Sequence, residues 1–241
     1  MKLARPHHQA IWQILEGFDA SFLLTNKIFF GGGTRIAMEL GEYRESVDID
    51  LFCIGRDAYK AARSAISSNS FGSLFRQGCE PSLYQNRDIR ADRDAIRSLL
   101  DCNGRPLKLE IIHFDHADIF ADVDKAMFPV PSVGRGGCFA TKLLANADRY
   151  RNNSKDIVDL CMMRREWGAI PNGAWQAACE HYSEQVIVSG LDQALYGLIN
   201  DAHKVTEDLV LEMKMDVELV RELIGDTAPV WRQDLIAKLT P

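Results

Sequence analysis

No run among the 241 residues is apolar for long enough to cross a bilayer. The opening stretch MKLARPHHQAIWQILEGF has the pattern of an amphipathic helix, with none of the apolar core of a secretory leader. A cytoplasmic protein without a membrane partner is expected. Paired cysteines are missing too: Cys53, Cys79, Cys102, Cys138, Cys161 and Cys179 are irregularly spaced with no C-x-x-C, so no disulfide framework or zinc knuckle is indicated, and reduced, buried thiols are expected. G-x-S-x-G, G-x-x-x-x-G-K-[ST] and a G-x-G-x-x-G opening a helix are all absent, which argues against hydrolase, P-loop and dinucleotide chemistry. A basic surplus is lacking as well. The formal net charge of −6 argues against general coating of nucleic acid while leaving room for a local basic face.

What the chain does have is 46% hydrophobic residues, enough for one large or two small cores, and one informative segment. A short strand over 27–30 runs into Gly31-Gly32-Gly33-Thr34, a helix follows over 34–40 with its stop at Gly41, and a strand over 47–54 carries Asp48-Ile49-Asp50-Leu51. Successive strand side chains alternate faces, so Asp48 and Asp50 share one side while Ile49 and Leu51 point to the core. At ~5 Å and an effective dielectric of ~20, two carboxylates repel by ~3 kcal/mol. A divalent cation relieves that conflict, and hard oxygen donors favour Mg2+ or Mn2+. A glycine turn that opens a helix offers unpaired N–H groups to a phosphate. A D-x-D pair alone also occurs as a solvated turn; the glycine turn at this spacing is what favours the metal site.

Farther along, 56–68 patterns as a helix with Ala58, Ala61, Ala62, Ala65 and Ile66 inward, and the chain turns strand-like from about residue 76. Asp101-Cys102-Asn103-Gly104 suits a hairpin turn between strands over 95–100 and 106–114. In the second of these, Lys108 and Glu110 alternate against Leu107, Leu109 and Ile111. Pro129 and Pro131 mark a change to helical patterning, placing a boundary between an α/β domain of residues 1–128 and a helical domain of residues 129–241. Helices are expected over 137–151, 155–167, 173–189, 190–204 and 205–224. His113-Phe114-Asp115-His116 suits a turn with exposed histidines better than a metal site, and His7-His8 suits the surface of the first helix.

The string GGGTRIAMELGEYRESVDIDLF resembles the signature of the AbiEii-type nucleotidyltransferases, in which GGT and a short helix precede R-x-S-x-D-I-D-L-F. Gly32, Gly33, Thr34, Arg44, Ser46, Asp48 and Asp50 match; the third glycine and Arg35 depart from it. Lys142-Leu143-Leu144-Ala145 with Arg149, then Lys155-Asp156-Ile157-Val158-Asp159-Leu160, resembles a second motif of the family. The resemblance implies a polymerase-beta-like nucleotidyltransferase domain followed by a helical domain, with NMP transfer from an NTP to an acceptor hydroxyl. It implies Asp48, Asp50 and Glu110 as catalytic metal ligands for Mg2+ or Mn2+, Glu110 also accepting the proton of the attacking hydroxyl. Gly32, Gly33, Thr34, Arg44, Ser46, Lys142 and Asp156 would serve the nucleotide, Lys142 at its phosphates. Glu110 could instead be an outer-face partner of Lys108, and Asp156 could instead cap its helix with Asn153. The biological role implied is a toxin of a toxin-antitoxin or phage-defence pair, with RNA (a tRNA 3′ end) as acceptor and a cognate antitoxin as partner. A protein or small-molecule acceptor, or a non-catalytic binding partner of the same fold, are the alternatives.

Overall fold

The computed structural model describes residues 1–115 and 126–239. Two compact units emerge: one of residues 1–38 and 46–134, the other of residues 39–45 and 135–241.

The first unit is built on a five-stranded mixed sheet of order β1-β2-β5-β4-β3. Its strands are β1 (Ile28–Gly31), β2 (Asp48–Ile54), β3 (Arg90–Ala91), β4 (Ala95–Cys102) and β5 (Arg105–Phe114). Only β2 and β5 run parallel. The β4–β5 hairpin turns on Asn103 and Gly104, both at positive φ, while the Asp101 carboxylate accepts from the Gly104 N–H at 2.8 Å. This is the left-handed geometry that an Asn-Gly pair suits in a two-residue hairpin. One sheet face is the core: Ile28, Phe30, Ile49, Leu51, Cys53, Ile96, Leu100, Leu107, Leu109 and Ile111 are all buried. In the same core lie Ile11 and Leu15 of α1 (Pro6–Gly17), Leu23 of α2 (Ala20–Thr25), and Ala58, Tyr59 and Ala62 of α4 (Arg56–Ala65). Pro6 sits at the start of α1, where its missing N–H costs nothing.

Residues 76–89, expected to be strand-like, hold a 3₁₀ turn over Tyr84–Asn86 and one isolated antiparallel bridge from Leu83 to Leu100, and the next strand begins at Arg90. The proline segment does not leave the sheet. Phe30 N–H donates to the Pro131 carbonyl at 2.9 Å and Val133 N–H to the Phe30 carbonyl at 2.8 Å, which covers the open edge of β1, and Phe128 and Val130 join the core.

The second unit is helical: α5 (Arg135–Arg149), α6 (Lys155–Trp167), α7 (Asn172–His181), α8 (Glu184–Asn200), α9 (Ala202–Leu211), α10 (Val217–Glu222) and α11 (Ala228–Leu239). α5 packs on α6, α7 and α8. The helix break expected at Gly190 falls instead at Tyr182–Ser183, and Gly190 lies inside α8. There a Cβ would stand 3.2 Å from the Ala147 Cα, so the glycine lets two helix backbones approach. None of the six cysteines is in a disulfide. Cys53, Cys138 and Cys161 are buried as expected, whereas Cys79 is exposed and Cys102 and Cys179 are half-buried.

Candidate active site

The sheet face opposite the core carries the carboxylates singled out from the sequence. Strand alternation buries Ile49 and Leu51 and turns Asp48 and Asp50 to the opposite side, half-buried. In register, Asp48 stands opposite Lys108 and Asp50 opposite Glu110 across the parallel β2–β5 pair. Continuing the second row, Gly31 lies opposite Asp50, Arg97 opposite Glu110 and Arg90 opposite Arg97. The three carboxylates singled out from the sequence therefore share one face on two adjacent strands.

Gly31 closes β1 and Gly32 opens α3 (Gly32–Glu39). Gly32 has φ +70, and a Cβ there would fall 1.9 Å from Asp50 Oδ2. The turn thus rests directly on the carboxylate. Gly32→Ala should combine a left-handed backbone penalty of about 1–2 kcal/mol with displacement of Asp50. The expected outcome is a modestly lowered melting temperature with a disproportionate loss of nucleotidyl transfer; full activity in that variant would dissociate the turn from the site.

Thr34 and Ser46 fix the two halves to each other. The Thr34 hydroxyl donates to the Asp48 carbonyl at 2.5 Å and stands 2.8 Å from the Ser46 hydroxyl. The Ser46 N–H donates to His8 Nε2 at 3.1 Å. His8 is fully buried, which corrects its expected surface position, whereas His7 is half-buried with its Nε2 3.3 Å from the Val47 carbonyl oxygen. His113 lies on β5 and not in a turn, its side chain only 10% exposed; His116 lies outside the described residues. Arg35 is buried, its guanidinium over the Phe128 ring at 5.7 Å.

Glu110 is held by two cations. Lys108 Nζ approaches Oε2 at 2.6 Å and Arg97 Nε donates to Oε1 at 3.1 Å; Arg97 also reaches Asp92 Oδ2 at 2.5 Å. Partial burial lowers the Lys108 pKa, but the hydrogen bond and charge of Glu110, and then the charges of Asp48 and Asp50, raise it above its ordinary value. Among the described residues no three His, Cys, Asp or Glu side chains are drawn together tightly enough to enclose an ion. The donor chemistry nevertheless fits a hard divalent cation, since Asp48, Asp50 and Glu110 offer only carboxylate oxygens from one face.

Arg44, Lys142 and Asp156 belong to the helical unit and form a separate, buried network. Asp159 of α6 accepts from Arg44 Nε at 2.6 Å and Nη2 at 2.9 Å, from the Tyr43 hydroxyl, and meets Lys142 Nζ at 2.6 Å. Lys142 Nζ also donates to Asp156 Oδ1 at 2.8 Å, and Arg149 holds Asp156 through Nε at 2.6 Å and Nη2 at 3.1 Å. Charges alternate along Arg44, Asp159, Lys142, Asp156 and Arg149, as buried ions require. Burial opposes the charged forms, yet Arg44 and Lys142 hold Asp159 well below its usual range, Lys142 and Arg149 lower Asp156, and Asp159 and Asp156 raise Lys142. Burial first, and Asp159 second, push Tyr43 well above its ordinary value.

Lys142, implied by the family resemblance at the nucleotide phosphates, is only 6% exposed, and its ammonium is taken up by Asp156 and Asp159. Asp156 is paired with two cations; the cap oxygen is that of Asn153, which accepts from the Lys155 N–H at 2.8 Å. The pairing of Lys108 with Glu110, weighed from the sequence as an alternative, is present, whereas nothing in the sequence beyond strand alternation pointed to Arg97 at Glu110, and nothing pointed to His8 behind Ser46. No helix among the described residues is long and apolar enough to cross a membrane.

Among solved structures, JHP933 from Helicobacter pylori is 19% identical, with a TM-score of 0.55, covering 98% of this chain and 96% of that one. A second H. pylori structure, of a protein provisionally assigned as a nucleotidyltransferase, is 18% identical with the same TM-score and coverage. These likenesses establish the fold. No curated protein matches the chain significantly. The family described as "Nucleotidyl transferase AbiEii toxin, Type IV TA system" matches over residues 13–233, and the chain belongs to that family of nucleotidyltransferase toxins.

Proposed function

We propose that this nucleotidyltransferase moves an NMP from an NTP to the hydroxyl of an RNA acceptor, a tRNA 3′ end, as the toxin of a toxin-antitoxin or phage-defence pair in the cytoplasm. The observation that carries the reading is the placement of Asp48, Asp50 and Glu110 on one face of β2 and β5 beside the turn at Gly32. The acceptor oxygen attacks the α-phosphorus, the bond from that phosphorus to the bridging oxygen of the leaving pyrophosphate breaks, and Glu110 takes the hydroxyl proton. Asp48 and Asp50, with Glu110, would hold Mg2+ or Mn2+, which supplies charge neutralisation at the attacking and leaving oxygens. Gly32, Gly33 and Thr34 offer backbone N–H groups at the start of α3 to the triphosphate, while Thr34, Ser46 and His8 keep β2 in place behind them. The buried alternation around Asp159 favours a structural assignment for Arg44, Lys142 and Asp156 over direct phosphate contact.

The test is to incubate each of the four α-labelled NTPs with the protein, Mg2+ or Mn2+, and total RNA, protein extract or small hydroxyl acceptors. Label is expected on RNA, at tRNA 3′ ends, and expression is expected to arrest growth unless Asp48 is replaced. Label on protein or a small molecule would move the acceptor class. Absence of any metal-dependent NTP consumption would reduce the chain to a binding protein.

A further inference from the structure

We propose that Lys108 is the built-in counter-cation of the carboxylate face, standing beside Asp48, Asp50 and Glu110 when no metal is bound and setting the affinity for a divalent ion by having to yield to it. The inference rests on the proposed metal role of those three carboxylates. Lys108 lies in register with Asp48, and its Nζ is 2.6 Å from Glu110 Oε2. Arg97 occupies the other Glu110 oxygen at 3.1 Å, so both oxygens of that carboxylate are taken by protein cations.

An ordinary exposed pair would have water around both partners. Here Glu110 is 17% exposed and Lys108 is 43% exposed, so the carboxylate is confined while the ammonium sits on a flexible stem with open solvent beside it. The two cations also differ in commitment. Arg97 is anchored at its far end by Asp92, whose carboxylate in turn accepts from the N–H groups of Asp94 and Ala95, each at 2.8 Å. Lys108 has Glu110 as its ion-pair partner and four rotatable bonds. It is the cation that can swing out, and Arg97 the one that stays and orients Glu110.

Mn2+ binding, read by the electron paramagnetic resonance of free Mn2+ and independently by melting temperature with and without Mn2+, tests this in Lys108→Met, Lys108→Arg, Asp48→Asn and the unaltered protein. A charge within ~4–6 Å alters a site's proton affinity by ~10- to 1000-fold, so Lys108→Met should bind Mn2+ at least ~10-fold more tightly. It should also melt lower without metal and show a larger Mn2+-induced rise, while Lys108→Arg stays near the unaltered protein. Equal or weaker Mn2+ binding by Lys108→Met, or none, overturns the inference. If Asp48→Asn abolishes uptake while Lys108→Met leaves it unchanged, only the counter-cation role falls. Uptake that Asp48→Asn leaves intact removes the proposed metal site itself.

Discussion

Lys142→Met lowers the unfolding free energy by about 3–5 kcal/mol, the range for breaking a buried ion pair by removing one partner. The side chain is 8% exposed, and its ammonium meets Asp156 and Asp159, both 0% exposed; methionine keeps the stem and deletes the charge between them. Urea unfolding measures the loss. A variant that melts like the unaltered protein but needs far more NTP would return Lys142 to the phosphate role implied by the family resemblance.

The pH dependence has a definite sign. Asp156 and Asp159, held below the ordinary 3.8, add stability that is complete above that pH and lost as pH falls through their folded values. Lys142, held above the ordinary 10.5, adds stability that is complete below that pH and lost as pH rises through its folded value. The gap between Lys142→Met and the unaltered protein should therefore be flat across neutral pH and narrow at both extremes. A gap that changes around pH 7 would implicate other groups.

Asp48→Ala or Asp50→Ala should reduce nucleotidyl transfer by at least ~10³-fold, about 4 kcal/mol of transition-state stabilisation. Each side chain stands on the outward face of β2, so truncation opens no core cavity and removes one member of a repelling set. Melting without added metal is expected to stay unchanged or rise slightly. Single-turnover assays with saturating Mg2+ check the rate; either variant retaining full activity would exclude that carboxylate from the chemistry.

The sheet unit was legible in the sequence wherever the physics is local. Alternation along β2 and β5 assigned Ile49, Leu51, Leu109 and Ile111 to the core and the carboxylates to the other face, and Asn103-Gly104 marked its hairpin because few other pairs accept positive φ at both positions. What depended on distant partners was not legible. Lys142 patterns as an exposed helical cation until Asp159 is brought beside it, and Asp159 is itself joined to Arg44, 115 residues away in sequence. His8 likewise looks like a surface residue of α1 until the Ser46 N–H, 38 residues on, supplies its partner. Gly190 reads as a helix breaker because its actual use, close approach to Ala147, involves another helix.

The string from Arg44 through Ser46 to Asp48 looks like a single signature, yet its residues are divided between two structural duties. Arg44 belongs with residues 39–45 to the helical unit, where it clasps Asp159, and Ser46 onward belongs to the sheet. A fragment ending at residue 134 would consequently carry Tyr43 and Arg44 stripped of the carboxylate that holds them, and the helical part expressed alone would lack the phenol and guanidinium that its Asp159 requires. Dissecting this enzyme by truncation is thus expected to yield two insoluble halves, and an inactive fragment would say nothing about catalysis. Coexpressing residues 1–134 with residues 135–241 would be the informative dissection, since it returns Arg44 to Asp159 without a covalent link.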